Sequence, residues 1–153
     1  MSRIKSFAAP HKGLRNVIGK FTLKLGHTDF KSASDLRKLQ ALGAEMFLLL
    51  NDHVQTENEY TLRRLEDRAP GSSDHDMHDH ERLEEIQATL EQQLALFTGN
   101  ESPDDIHAYY LGFSKFQSEY LLHTYDEQMV THLLLQKYFT DEGLTEHRKA
   151  IMQ

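Results

Sequence analysis

The sequence predicts an all-α protein folded as an up-down-up-down four-helix bundle. Apolar residues recur at alternating spacings of three and four over long stretches, the pattern of amphipathic helices. Glycine and proline, with eight and three copies in 153 residues, cluster between these stretches, and strict apolar-polar alternation is absent. Four long segments joined by short connections favour antiparallel neighbours, and the tail from Leu144 to Gln153 either forms a short C-terminal helix or frays.

The first helix is predicted from Pro10, a residue suited to a first helical turn, to about Leu25, with Gly26 ending it. Its inner face carries His11, Leu14, Ile18, Phe21 and Leu25. After the polar segment GHTDFKSAS, Ser34 or Asp35 caps a second helix that runs to about Arg68. This helix would be roughly 50 Å long at about 1.5 Å per residue, so we expect a kink or an early end.

The third helix is predicted to begin within DHDMHDHERL and to end at Gly99-Asn100. Its inner face carries Met77, His80, Leu83, Gln87, Leu90, Leu94 and Phe97. The segment Ser102-Pro103-Asp104-Asp105 is typical of a helix start, with serine as the N-cap and proline in the first turn. The fourth helix therefore runs from there to about Asp141.

The length, net charge and residue composition of the chain exclude several classes of function. The length suits a single domain over residues 1–153, and the net charge of −7 argues against binding to nucleic acid or to anionic lipid. The N-terminus lacks the apolar core of a signal peptide and no stretch is long and apolar enough to span a membrane, so we expect a cytoplasmic protein. Because cysteine is absent, any metal must be held by nitrogen and oxygen ligands.

Two His-x-x-x-Glu pairs interrupt the apolar faces of the second and fourth helices. The first face consists of Leu39, Leu42, Met46, Leu50, His53, Glu57 and Tyr60, and the second of Tyr109, Phe113, Phe116, Tyr120, His123, Glu127, Val130 and Leu134. Residues four apart lie one turn apart on the same face. A buried, unpaired carboxylate costs several kcal/mol, roughly, so each pair needs a compensating partner, and a metal ion is one candidate.

Two further histidines complete a set of six candidate metal ligands. His11 and His80 lie near the starts of the first and third helices, and in an up-down bundle those starts share one end with the finishes of the second and fourth helices. Glu57 and Glu127 lie well before those finishes, so the second and fourth helices must overhang the site or break early. The predicted metal ligands are His11, His53, Glu57, His80, His123 and Glu127.

The remaining polar residues of interest receive other interpretations. Tyr60 and Tyr120 are expected in the core, where either hydroxyl could hydrogen-bond a ligand residue or a bound small molecule. Glu84, four residues after His80, could serve as a spare ligand, but we interpret it as solvated. His132 falls off the inner face, and solvation is expected for His27, His75, His78, His107 and His147.

The arrangement resembles the hemerythrin-like (HHE cation-binding) family, in the segments PHKGLR, LNDHVQTENE, HDHERLEEI and LLHTYDEQ. The resemblance implies two iron ions with an oxo or hydroxo bridge, four terminal histidines, and Glu57 and Glu127 as bridging carboxylates. The sequence departs from the oxygen-carrying members at two points. It has Asp76 where they have a further histidine, and its last pair is His-x-x-x-Glu where theirs is His-x-x-x-x-Asp. It is closer to the four-histidine, two-glutamate pattern of iron-sulfur-cluster repair proteins and of an iron- and oxygen-sensing domain in a ubiquitin ligase subunit.

Three functional hypotheses follow. The first is a non-haem diiron protein that senses or reacts with dioxygen, nitric oxide or peroxide, or responds to iron or redox stress. Such a protein could also have oxidase, peroxidase or iron-centre repair activity, but no residue is assigned a catalytic role. The second is a helical interaction or iron-storage module whose metal is mainly structural. The third is a metal-free bundle with hydrogen-bonded His–Glu pairs. Zinc or manganese also suits these ligands, so iron rests on the resemblance.

Overall fold

A computed structural model of the chain describes residues 7–151, which contain helices and connections and no β-strand. Four long helices pack up and down, followed by a short C-terminal helix, which confirms the predicted fold class. The α-helices are α1 Ala8–His27, α2 Ala33–Thr56, α3 Arg63–Arg68, α4 Asp74–Leu96, α5 Pro103–Asp126, α6 His132–Tyr138 and α7 Asp141–Ile151. Two π-helical segments, Glu57–Leu62 and Glu127–Thr131, join α2 to α3 and α5 to α6 without interruption. No helix in this part of the chain is long and apolar enough to cross a membrane.

The main core lies between α1, α2, α4 and α5, where α1 and α4 each pack against both α2 and α5. Four phenylalanines, Phe21, Phe47, Phe113 and Phe116, are fully buried there. Gly43 permits the close approach of α2 to its neighbours, because a Cβ atom at this position would overlap Leu94 and lie 3.0 Å from the ring of Phe21. The packed core fixes the four helices side by side and therefore sets the register of the polar residues beyond it.

Of the two N-caps predicted for the long helices, one differs in the structure and one is confirmed. The cap of α2 is Ser32, whose hydroxyl accepts from the backbone N–H of Asp35 at 3.2 Å, so the prediction of Ser34 or Asp35 was wrong. Ser32 lies three residues before Asp35, the spacing at which an N-cap side chain accepts from a free N–H of the first turn, whereas Ser34 already lies inside that turn. The predicted cap of α5 is confirmed, since Ser102 accepts from Asp105 N–H at 3.1 Å.

The second and fourth long helices overhang the level of the paired histidines and glutamates. They continue to Arg68 and Tyr138, so neither breaks early. The overhang is covered by a second, smaller core of Phe7, Leu65, Leu135 and Leu144. The fourth helix ends before the predicted Asp141, and α7 begins there instead of at Leu144, because the Thr140 side chain accepts from Gly143 N–H at 3.1 Å and starts a new helix.

The two π-helical segments change which residues face inward. A π-helix bonds residue i to i+5, so it adds about one residue to a turn and rotates all that follows. Tyr60 and Val130, predicted on the inner faces, are 42% and 57% exposed. The residues five positions after each glutamate, Leu62 and His132, are buried instead. The expectations that Tyr60 lies in the core and that His132 lies off the inner face were therefore wrong for the same reason.

Candidate metal centre

All six predicted ligand residues meet between the main core and the second core. His11 comes from α1, His53 from α2, His80 from α4 and His123 from α5, while Glu57 and Glu127 are the first residues of the two π-helical segments. Five of them are buried, and the His53 side chain is 12% exposed. The structure therefore brings all six residues together, and their role as metal ligands stays a prediction.

The six residues form two overlapping groups that share both carboxylates. We call the first, His11 and His53 with Glu57 and Glu127, position A, and the second, His80 and His123 with the same two glutamates, position B. In each group one nitrogen or oxygen atom per residue lies within 4.8 Å of all the others. Two buried groups with shared carboxylates are consistent with a site for two metal ions.

The two glutamates lie between the histidines of position A and those of position B. Glu57 Oε1 is 3.3 Å from His11 Nε2 and also contacts His53 Nε2, while its Oε2 is 3.2 Å from His80 Nε2. Glu127 Oε1 is 3.3 Å from His11 Nε2 and 3.1 Å from His123 Nε2, and its Oε2 is 3.5 Å from His80 Nε2. Each carboxylate therefore faces both positions, as a bridging ligand must.

The buried polar atoms of the cluster fit a metal better than they fit one another. Three buried atoms, His53 Nε2, Glu57 Oε2 and Glu127 Oε2, make no hydrogen bond of good geometry among the described residues, although His53 lies against Glu57 and both Oε2 atoms lie within 3.5 Å of His80 Nε2. Leaving a buried polar group unsatisfied costs about 1–3 kcal/mol, and more for a charged one. A cation within each ligand group would supply the partner that these atoms lack, and nitrogen and carboxylate oxygen suit iron, zinc or manganese.

Without a metal, protons must balance the two buried carboxylates. Burial disfavours the charged form of His11 and His80, but the hydrogen bonds that these histidines donate to Glu127 and Glu57 outweigh it and raise the pKa of His11 to about 9 and that of His80 to about 10. Burial acts to raise the pKa of Glu57, yet the charge of His53 and hydrogen bonds to its neighbours lower it well below its ordinary value. Metal ions can replace these protons, because they supply the same positive charge to the same atoms.

The outward ring nitrogens of three histidines hydrogen-bond to side chains that sequence reasoning missed. His11 Nδ1 is 3.2 Å from Gln128 Oε1, His80 Nδ1 is 2.7 Å from Asn58 Oδ1, and His123 Nδ1 is 3.1 Å from Asp79 Oδ2. An oxygen acceptor on Nδ1 fixes the tautomer that leaves Nε2 free to bind metal. The available signal was position, since Asn58 and Gln128 directly follow the two glutamates and Asp79 directly precedes His80.

Two acidic residues near the cluster have other surroundings. Asp76 is buried and its carboxylate accepts a hydrogen bond from the Thr131 hydroxyl, which ties α4 to the second π-helical segment. Burial, and next the charge of Glu127, raise the pKa of Asp76. Asp76 belongs to neither position A nor position B, and Glu84 is exposed, as predicted.

The other histidines divide as follows. His27, His75, His78 and His107 are exposed, which confirms the expectation for these four. The side chain of His147 lies outside the described residues. His132 is buried, with its ring edge-on to Phe7 at 6.4 Å between centroids, and belongs to the second core region.

A small cavity adjoins the cluster on the side of α2, α4 and α5. It has about 10 Å³ of water-accessible volume, and its lining includes His53, His80, His123 and Glu127 together with Tyr120. Tyr120 is buried, and burial, with the charges of Glu57 and Glu127, raises its pKa well above the ordinary value, so the hydroxyl keeps its proton. Such a space holds one water-sized molecule.

The fold and the site together define a helical-bundle protein with a buried four-histidine, two-glutamate cluster that is consistent with a site for two metal ions. No family model matches the chain. It is distantly similar to F-box/LRR-repeat protein 5, with 28% identity over 148 residues to the proteins of Xenopus tropicalis and Mus musculus and 22% over 147 residues to that of Danio rerio. These matches cover 95% of this chain but only 21–22% of the relatives, so the chain spans about a fifth of their length. The matching relative has a hemerythrin-like N-terminal region, which agrees with the resemblance noted in the sequence.

Proposed function

We propose that this protein is a non-haem diiron protein that senses or reacts with dioxygen, nitric oxide or peroxide. The observation that carries the proposal is the convergence of four histidines and two carboxylates, with both carboxylates shared between two ligand groups. The choice of iron is supported by the hemerythrin-like resemblance and by the distant similarity to F-box/LRR-repeat protein 5. Position A would be held by His11 and His53, position B by His80 and His123, and both by Glu57 and Glu127.

The ligand count leaves room for an outside molecule. Two histidines and two carboxylate oxygens give each metal four protein ligands, fewer than the six of an octahedral ion. Bound iron would supply one-electron and oxygen chemistry at such open positions. The role of the protein is to hold the six ligands in place, to exclude bulk water and to admit only small molecules to the metals.

Tyr120 is the residue we expect to orient a bound small molecule. Its side chain lines the small cavity together with His53, His80, His123 and Glu127, and it retains its proton. A protonated phenol can donate a hydrogen bond to a diatomic or peroxide ligand, whereas larger substrates do not fit a cavity of about 10 Å³. Tyr60 is exposed and is not part of this proposal.

A mainly structural metal in an interaction or iron-storage module is the second candidate. It is favoured by the origin of the ligands on four separate helices, because a metal there would tie the whole bundle together. The two candidates differ in one respect that can be measured. A sensor or reactive centre changes its spectrum when a small ligand is added, and a structural metal does not.

The test is anaerobic loading of the purified protein with Fe²⁺, followed by iron analysis and absorption spectra before and after oxygen, peroxide or nitric oxide. We expect two irons per chain and a spectral change with at least one ligand. The matched variants are Glu127→Ala, which should reduce the bound iron, and His78→Ala, which removes an exposed histidine of the same helix as His80 and should not. Two irons without any ligand response would favour the structural role, and equal iron in both variants would refute the ligand assignment.

A further inference from the structure

We propose that Asp79 and Arg15 make the two metal positions unequal, so that position B binds its metal first and more tightly than position A. This inference rests on the proposed two-metal function. It concerns residues that do not touch the metals themselves and act through the histidines that do. The basis is a difference in charge between the outer hydrogen-bond partners of His123 and His11.

At position B the outer partner is an anion. Asp79 Oδ2 lies 3.1 Å from His123 Nδ1, and the Asp79 side chain is only 15% exposed. A carboxylate that accepts the N–H of a ligand histidine draws the proton toward itself and makes the other ring nitrogen a stronger donor to metal. Its negative charge also attracts any cation bound nearby.

Other groups around Asp79 leave this charge largely in place. His75 Nε2 is 3.6 Å away on an exposed side chain, and Arg82 approaches only to 4.0 Å. Arg82 instead bonds Glu119 at 2.9 Å, which satisfies its charge elsewhere. Asp126 lies with His75 and Asp79 in a third, partly exposed group and adds further negative charge.

At position A the outer partner is neutral and is polarised by a cation. His11 Nδ1 lies 3.2 Å from Gln128 Oε1, and the same oxygen accepts a hydrogen bond from the Arg15 guanidinium at 2.7 Å. Arg15 also donates to the Thr124 hydroxyl at 3.1 Å, so it is held in place by two bonds. The positive charge of Arg15 beside the shared acceptor weakens the pull of that oxygen on the His11 proton and disfavours a metal cation close by.

Of the remaining two histidines, only His53 adds to this difference. His80 of position B has a neutral partner, Asn58, at 2.7 Å, and is buried. His53 of position A is the most exposed of the four histidine ligands, with 12% of its side chain reached by solvent compared with 4% for His80 and His123. Among the four ligand histidines, solvent therefore reaches His53 of position A most, whereas His11 of the same position is fully buried.

The experiment is an anaerobic titration of the metal-free, full chain with Co²⁺, followed by its visible absorption and by calorimetry. We expect two separate steps. His53→Ala should keep the tighter step and His123→Ala should abolish it, which assigns the tighter step to position B.

Asp79→Asn keeps an oxygen acceptor for His123 and removes only the charge. We expect it to weaken the first step by about 10- to 100-fold and to leave the second within about threefold. Asp79→Glu should restore part of the loss, and the melting temperature of the metal-free protein should not follow the affinity. The control, Asp52→Asn, removes an exposed carboxylate next to His53 in sequence and should change neither step.

Arg15→Gln provides an independent test if Asp79→Asn does not fold. We expect it to strengthen the second step by about tenfold and to leave the first unchanged. Two Co²⁺ ions bound in indistinguishable steps, or equal weakening of both steps by Asp79→Asn, would overturn the inference. Fewer than two Co²⁺ ions bound to the wild-type protein would instead contradict the proposed two-metal function.

Discussion

Replacing Glu57 by glutamine should cost the protein iron at both positions. Glu57 is a member of both ligand groups, and its two oxygens face histidines on opposite sides. The amide has nearly the same shape, so the change removes one negative charge and one acceptor oxygen from a fully buried site. Loss of an outer partner of a ligand lowers metal affinity by about 10- to 100-fold, so loss of a shared inner ligand should lower it by about 100-fold or more at each position.

The assay is competition between the protein and a chelator of known iron affinity, with iron counted after desalting. The matched control is Glu84→Gln, because Glu84 follows His80 at the same four-residue spacing but is exposed. Wild type and Glu84→Gln should retain two irons under conditions in which Glu57→Gln retains fewer than one. Two irons held by Glu57→Gln with an affinity within threefold of wild type would refute the bridging role of this residue.

Three further predictions concern ligand response and stability. Tyr120→Phe should keep two irons but weaken or alter the spectral response to nitric oxide or peroxide, because it removes the hydroxyl from a side chain that lines the cavity; an unchanged response would exclude that role. Removal of the iron by a chelator should lower the melting temperature by roughly 5–10 °C per site, since free iron at 100 times its dissociation constant stabilises the folded protein by about 2.7 kcal/mol. No shift of the melting temperature in scanning calorimetry would contradict a buried metal. Gly43→Ala should lower the free energy of unfolding by about 1–3 kcal/mol, because the new Cβ would overlap Leu94 and Phe21. The control, Gly19→Ala, has no atom within 4 Å of the new Cβ and should raise the free energy of unfolding by about 0.5–1 kcal/mol. Urea titrations measure both changes.

The sequence was sufficient to predict the bundle and the meeting of the six residues. Helical periodicity is a local property, and a four-residue spacing places His53 beside Glu57 and His123 beside Glu127 whatever the rest of the chain does. The up-down topology then brings His11 and His80 to the same level. The sequence left open whether the second and fourth helices extend beyond the site or break early. They extend beyond it, to Arg68 and Tyr138, and the second core covers these extensions.

The register after the two glutamates could not be predicted by the same rule. A pattern read at 3.6 residues per turn continues through Tyr60 and Val130, but the π-helical segments rotate these residues outward and bring Leu62 and His132 inward. The outer partners Asn58, Gln128 and Asp79 depend on contacts between different helices. Such contacts follow from the packing of the whole bundle and leave no periodic signal.

Anomalous diffraction at the iron edge, from crystals of the iron-loaded protein, tests the central claim most directly. We expect two peaks about 3.5–4 Å apart, the separation typical of two-metal sites. One peak should lie between His11 and His53 and the other between His80 and His123, with Glu57 and Glu127 reaching both. A single peak, or iron only at the partly exposed group of His75, Asp79 and Asp126, would contradict the two-metal centre.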